Sequence, residues 1–222
     1  MQSATGDLFD NLPRPRAEKS VERLREGAVV LRAFAQDDEA ALMQSIREVE
    51  SAAPFRHLTT PGGYRMSVAM TNCGQVGWVS DLTGYRYDPI DPITKKPWPA
   101  MPAAFQSIFA RAALAAGFDH FAADCCLINR YEAGARLSLH QDRDEQGYDS
   151  PIVSVSLGLP ATFLWGGDQR SDRPRRLLLE SGDVAVWGGP ARLAFHGIAP
   201  LKAGEHPLTG SYRFNITFRR AL

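Results

Sequence analysis

From residue 121 to the C-terminus the chain is a succession of short runs broken by turns, and this constrains the fold more than any other feature. The runs are "CLINRY", "RLSLH", "PIVSVSLGL", "ATFLW", "RRLLLE", "VAVW", "RLAFH" and "SYRFNITFR". Gly, Pro and Asp separate them, as in "ESGDV" and "WGGPAR". Eight short strands with regular turns predict a barrel or jelly roll.

Helical patterning is confined to the part before this. "GAVVLRAFA" (27–35) reads as a strand. Residues 37–53 open on an Asp that suits an N-cap, and they place Leu42, Ile46 and Val49 on one helical face. A second helix is expected from Pro102, a good first-turn residue, to a stop near Gly117. Residues 1–26 are charged and irregular and read as a loosely held arm. Residues 54–100 are rich in Gly and Pro, with Tyr64, Trp78, Tyr85, Tyr87 and Trp98 among Arg56, Arg65, Arg86, Lys95 and Lys96. Short strands and turns fit there; a long helix does not. The fold class expected is therefore α+β, mostly β with flanking helices, and a jelly-roll core over 101–222.

Composition adds limits. Among 222 residues, Lys+Arg and Asp+Glu balance at 25 each, so no global field marks a polyanionic partner, although a local basic stripe would suffice. No apolar run reaches membrane-spanning length, and the start of the chain has neither a basic nor an apolar leader segment. Three cysteines, Cys73, Cys125 and Cys126, do not suggest a disulfide framework. A cytoplasmic protein without membrane attachment is the expectation.

The last strand carries the most chemistry. In "SYRFNITFR", Tyr212, Phe214, Ile216 and Phe218 share one face, and Arg213, Asn215, Thr217 and Arg219 share the other. Pattern alone favours an ordinary amphipathic strand with its polar side in water. If that side lines the barrel instead, two guanidiniums and an amide could clamp a dicarboxylate. Asn129 and Tyr131 likewise share a face of "CLINRY", and a surface strand is an equal reading.

"SLHQDRDE" raises the question of a metal. His140 and Asp142 are two apart, so in an extended segment they project to one side; His196 follows 54 residues after Asp142. Two histidines and a carboxylate on one face of an ion form the triad of non-haem Fe(II) oxygenases. With five histidines in the chain, His-x-Asp alone is a weak signal. His57, His120 and His206 lack such context and read as surface residues. Trp98, Phe163, Trp165, Trp187 and Phe195 read as core, and Cys125 and Cys126 as small packing residues.

Beyond these patterns, "NRYEAGARLSLHQDRDE", "PIVSVSLGLPATFLWGG", "DVAVWGGPARLAFHGI" and "RFNITFR" closely resemble the AlkB family of Fe(II)/2-oxoglutarate dioxygenases, which repair alkylated nucleic acid. "TPGGYRMSVAMTNCG" and "DPITKKPWPAMP" resemble that family's nucleotide-recognition lid. The resemblance runs from about residue 27 to the end. It implies a double-stranded β-helix core, with 27–53 as a strand and supporting helix, 54–100 as the lid and 101–222 as the dioxygenase core. It implies His140, Asp142 and His196 as iron ligands. Asn129, Tyr131, Arg213, Asn215 and Arg219 would surround 2-oxoglutarate, and O2 would be the second co-substrate. Trp78 would stack the target base, Tyr85 and Tyr87 would contact the nucleic-acid backbone, and Asp144 and Arg170 would line the base pocket. The implied activity is oxidative demethylation of 1-methyladenine and 3-methylcytosine in single-stranded DNA, with RNA and double-stranded DNA as further candidates and a monomer as the working form. Two rivals remain: the same iron chemistry on a protein or small molecule, and a non-catalytic single-strand binder with a structural zinc.

Overall fold

The structure is a computed structural model, and it describes residues 18–222. The first strands are β1 (Ser20–Arg25) and β2 (Ala28–Arg32), followed by helix α1 (Glu39–Ala52). Four strands come next: β3 (Arg56–Thr59), β4 (Arg65–Gly74), β5 (Gly77–Asp81) and β6 (Gly84–Asp88). Helix α2 (Ala103–Ala115) precedes β7 (Cys125–Tyr131), β8 (Leu137–His140), β9 (Ile152–Gly158) and β10 (Ala161–Trp165). The chain ends with β11 (Arg175–Leu179), β12 (Val184–Trp187), β13 (His196–Ile198) and β14 (Arg213–Arg219).

An eight-stranded sheet in the order β1-β2-β12-β9-β14-β7-β4-β3 faces a four-stranded sheet in the order β11-β10-β13-β8. The eight strands read from the C-terminal half divide evenly: β7, β9, β12 and β14 lie in the large sheet, β8, β10, β11 and β13 in the small one. All pairings are antiparallel, as in a jelly roll.

Both faces of the large sheet are covered. Leu42, Ile46 and Val49 of α1 and Phe105, Ile108 and Phe109 of α2 pack on Ile128, Val155, Ile216 and Phe218. At roughly 1.5–3 kcal/mol for each large apolar side chain buried, this helical layer is a main source of stability. The other face turns inward, where Leu127 and Tyr131 meet Phe163, Trp165 and Trp187. A sheet buried on both faces leaves no solvent side, and every residue of β9 and β14 is buried.

Three expectations need correction. Ser20–Arg25, read within an irregular arm, forms β1 and pairs with β2; residues 1–17 of that arm lie outside the described residues. Residues 54–100 are not one separate unit, because β3 and β4 extend the large sheet through β7, and only β5 and β6 form a sheet of their own. The run "RLAFH" is not a strand that ends in His196. Gly189–Ala191 form a 3-10 turn that starts from a positive φ at Gly189, so His196 opens β13 instead.

The β5–β6 hairpin is tied to the body by Trp98, which packs with Ala53 and Val79 and donates its indole N–H to the Asp88 carbonyl at 2.8 Å. Gly77 permits this approach, since a Cβ there would stand 2.4 Å from Trp98 Cε2.

Candidate active site

β8 and β13 bring the two histidines together. His140 and His196 are register partners, and their ring centroids lie 4.4 Å apart. The same local device orients both rings. His140 Nδ1 is 2.8 Å from the Ser138 carbonyl, and His196 Nδ1 is 3.0 Å from the Ala194 carbonyl. Each Nδ1–H therefore donates to the backbone two residues earlier, which leaves each Nε2 lone pair free for a ligand. Those atoms face the Asp142 carboxylate, with His140 Nε2 3.6 Å from Oδ1 and His196 Nε2 3.7 Å from Oδ2. The three groups offer ligand atoms within 4.8 Å of one another. Burial, then the neighbouring His196, pushes the His140 pKa down to about 4, so the ring is neutral at neutral pH. Burial opposes ionisation of Asp142, but the Arg219 guanidinium outweighs it and holds its carboxyl well below the usual range.

The polar face of β14 turns inward. Arg213, Asn215, Thr217 and Arg219 are all buried, against the expectation of a solvated face. Helices α1 and α2 have taken the apolar face, so the polar one must face the second sheet. Arg213 is 1% exposed, donates from Nη2 to Ser156 Oγ at 3.1 Å, and lies 4.9 Å over the Tyr131 ring. Asn215 donates to Ser154 Oγ at 2.8 Å and accepts from Thr217 Oγ1 at 2.9 Å, with Asn129 Nδ2 3.4 Å from its oxygen. Arg219 donates twice to Asp142 Oδ2, from Nη2 at 2.8 Å and Nε at 3.1 Å.

Among the described residues, Arg213 Nε and Nη1, Arg219 Nη1 and Asn129 Oδ1 are buried with no hydrogen-bond partner. A buried guanidinium with idle N–H groups is costly, and an anion with several acceptor oxygens removes that cost. The donor set thus fits a dicarboxylate beside a metal. These residues line one cavity of about 1000 Å³ that also takes in the triad, Trp78, Tyr85, Tyr87, Asp144 and Arg170. At its mouth the Trp78 and Tyr85 rings are stacked, 5.5 Å between centroids, and Trp78 Nε1 donates to Asp144 Oδ2 at 2.9 Å. Arg170 is exposed on the rim.

Such a site matches known proteins over nearly the whole chain. The model of the 2OG-Fe(II) oxygenase superfamily matches residues 27–219. The alpha-ketoglutarate-dependent dioxygenase AlkB of Escherichia coli is 60% identical over 215 residues, covering 97% of each chain. The chain belongs to the AlkB family of 2OG-Fe(II) oxygenases. It is accordingly a dioxygenase that uses Fe(II), 2-oxoglutarate and O2. Other AlkB-like proteins match it less closely. The solved structure of OsALKBH1 superposes with a TM-score of 0.79 at 29% identity, covering 90% of this chain and all of that one. A tRNA demethylase of Schizosaccharomyces pombe, abh1, is 37% identical over 97 residues, 42% of this chain and 32% of its own.

Not every residue reads as the AlkB resemblance implied. Tyr87, expected to face the nucleic-acid backbone, points inward and donates its hydroxyl to Glu145 Oε1 at 2.8 Å. Phe163 and Trp187 are core as read and also line the cavity, whereas Phe195, read as core, is only half-buried there. His206 is buried in a turn and not on the surface, where its Nδ1 accepts from the Leu208 N–H at 3.3 Å. Ser154 and Ser156, which steady Asn215 and Arg213, were missed. The alternation of "SVS" inside an apolar strand was their available signal. Glu145 and Arg192 were missed as well, and local pattern carries no sign of their burial.

Proposed function

We propose that this enzyme removes alkyl groups from damaged nucleobases in nucleic acid, with 1-methyladenine and 3-methylcytosine in single-stranded DNA as its main substrates. The observation that carries this reading is a single cavity holding the His140–Asp142–His196 triad, an unpaired buried arginine and an aromatic platform at the mouth. RNA is a second substrate on this reading, supported by the matched tRNA demethylase; double-stranded DNA is reached when the lesion base flips out. The absence of a long apolar helix among the described residues, and three buried free cysteines, accord with work in the cytoplasm.

His140, Asp142 and His196 would hold the iron. Arg213, beside the Tyr131 ring, would grip the far carboxylate of 2-oxoglutarate, and Arg219 Nη1 would meet the end nearer the metal. Asn129 and Asn215 would fix the plane between them. When bound, the iron with 2-oxoglutarate and O2 supplies the oxidising power to hydroxylate the N-methyl carbon, with succinate, carbon dioxide and finally formaldehyde as products. The remaining tasks belong to positioning. Trp78 offers a face on which the flipped base stacks, and Asp144, held by the indole N–H, places negative charge where a cationic methylated base arrives. A lesion that cannot pair costs less to flip than a normal base, which adds selectivity.

The rival of a zinc-bearing binder has no use for a buried dicarboxylate clamp. A protein or small-molecule substrate has no evident use for the Trp78 platform. The test is to incubate the protein with Fe(II), 2-oxoglutarate and a single-stranded oligonucleotide carrying one 1-methyladenine. Mass loss of one methyl group, dependent on 2-oxoglutarate and absent in His140→Ala, is expected. Succinate without methyl loss would move the substrate elsewhere, and neither product would favour the binder.

A further inference from the structure

"SLHQDRDE" contains a third carboxylate to which no role has fallen. Glu145 has a side chain only 1% exposed, deep beside the site, and a buried carboxylate needs charged or hydrogen-bonded partners. Three groups surround it. Tyr87 of β6 donates its hydroxyl to Oε1 at 2.8 Å. Arg219 Nε lies 3.4 Å from the same oxygen, and Arg192 Nη2 lies 3.3 Å from Oε2. Both guanidiniums also hold Asp142 from opposite ends. Arg219 donates to its carboxylate, while Arg192 Nη1 donates to its backbone carbonyl at 2.7 Å and Nε to the Ser150 carbonyl at 3.0 Å.

Two arginines buried next to a divalent-metal site are an electrostatic problem. Their field opposes a dication, and Arg219 already occupies one oxygen of the carboxylate that the metal needs. Glu145 supplies the balancing negative charge, and its Oε1, 3.4 Å from Arg219 Nε, shares with Asp142 Oδ2, at 3.1 Å, the positive charge that would otherwise fall on Asp142 alone. Through Tyr87 the same carboxylate fastens the β5–β6 hairpin, which carries Trp78 and Tyr85, to the floor of the site.

We propose that Glu145 is a positioning residue that keeps Asp142 available to the metal by balancing Arg192 and Arg219, and that anchors the β5–β6 hairpin through Tyr87. The proposal rests on the reading that the triad holds the metal. Charge and hydrogen bond act separately, so variants can separate them. Glu145→Gln keeps size and an acceptor for Tyr87 but removes the charge. Glu145→Asp restores the charge with a shorter reach. Tyr87→Phe removes only the hydrogen bond.

The experiment uses the full chain and Mn(II), a redox-inert stand-in for Fe(II), with affinity measured by calorimetry and hairpin order by amide exchange over residues 77–88. Outer partners of metal ligands are typically worth about 10- to 100-fold in affinity, and Glu145→Gln is expected to weaken Mn(II) binding by that order. Glu145→Asp should recover part of it, with hairpin exchange in Glu145→Gln unchanged. Tyr87→Phe should bind Mn(II) within about twofold of the wild type while its hairpin amides exchange faster. Wild-type affinity in Glu145→Gln overturns the proposal. So does an equal loss of affinity in Glu145→Gln and Tyr87→Phe, which would make packing and not charge the cause. Mn(II) binding that survives His140→Ala would instead overturn the placement of the metal, a separate failure.

Discussion

His140 and His196 stand directly opposite each other across the β8–β13 pair, although 56 positions separate them in the chain. Cross-strand register, and not loop geometry, sets the distance between the two imidazoles. Asp142, just past the end of β8, completes the face. Replacing His140, Asp142 or His196 by Ala should abolish stoichiometric Fe(II) or Mn(II) binding while leaving the β framework intact. Metal content after dialysis, beside a far-UV circular dichroism spectrum, checks this. Full metal retention in any one variant would remove that residue from the ligand set.

Arg213 is the buried cation whose idle N–H groups suit a dicarboxylate. Truncating one partner of a buried charge pair costs roughly 2–5 kcal/mol, so Arg213→Met should weaken 2-oxoglutarate binding by about 30-fold or more. Arg213→Lys should rescue little, because an ammonium lacks the planar fork. Calorimetric titration of 2-oxoglutarate into Mn(II)-loaded protein gives the answer.

Trp78 is stacked on Tyr85 and held edge-on by Asp144. Base–aromatic stacking is worth about 1–3 kcal/mol per base, and Trp78→Ala should weaken binding of a lesion-bearing oligonucleotide by roughly 5- to 150-fold. Turnover of 2-oxoglutarate without oligonucleotide should change far less. An equal fall in both would place Trp78 in the framework instead of the substrate platform.

Arg56 and Asp91 form a buried ion pair under the Trp98 ring, and Asp91 also accepts from the Ile93 N–H at 2.9 Å and the Thr94 hydroxyl at 3.0 Å. Burial alone would raise the Asp91 pKa, but these partners outweigh it and hold the value below the ordinary one. A carboxyl whose folded pKa is depressed contributes stability above its unfolded value of about 3.9 and loses it as pH falls through the folded value. The contribution of Asp91 should therefore be full at neutral pH and decline below about pH 4. Asp91→Ala strands the Arg56 charge and should cost about 3–5 kcal/mol at pH 7, with a smaller penalty under acid conditions. Urea unfolding of both proteins at pH 7 and pH 3 measures the difference; an equal penalty at the two pH values would dissociate it from this ion pair.

How much of this could be read beforehand depends on the range of the signal. Strand and helix positions are written in local periodicity, and β7, β9, β10, β12 and both helices lie within a few residues of where the pattern puts them. His140 and Asp142 were legible because their spacing is itself local. Glu145 was not, although it sits in the same octapeptide, because its burial depends on Tyr87, Arg192 and Arg219 reaching it from three other segments.

The last strand shows where the division falls. Its sequence determined that Phe214, Ile216 and Phe218 lie on one face and Arg213, Asn215, Thr217 and Arg219 on the other, since side chains alternate along any strand. Alternation is silent about which face meets water. That was decided when α1 and α2 covered the apolar side and the small sheet closed over the polar one, burying two guanidiniums that a single amphipathic sheet would have left in solvent. The residue types in the site are thus a property of the chain, and the charged cavity they line is a property of the packing of its two sheets.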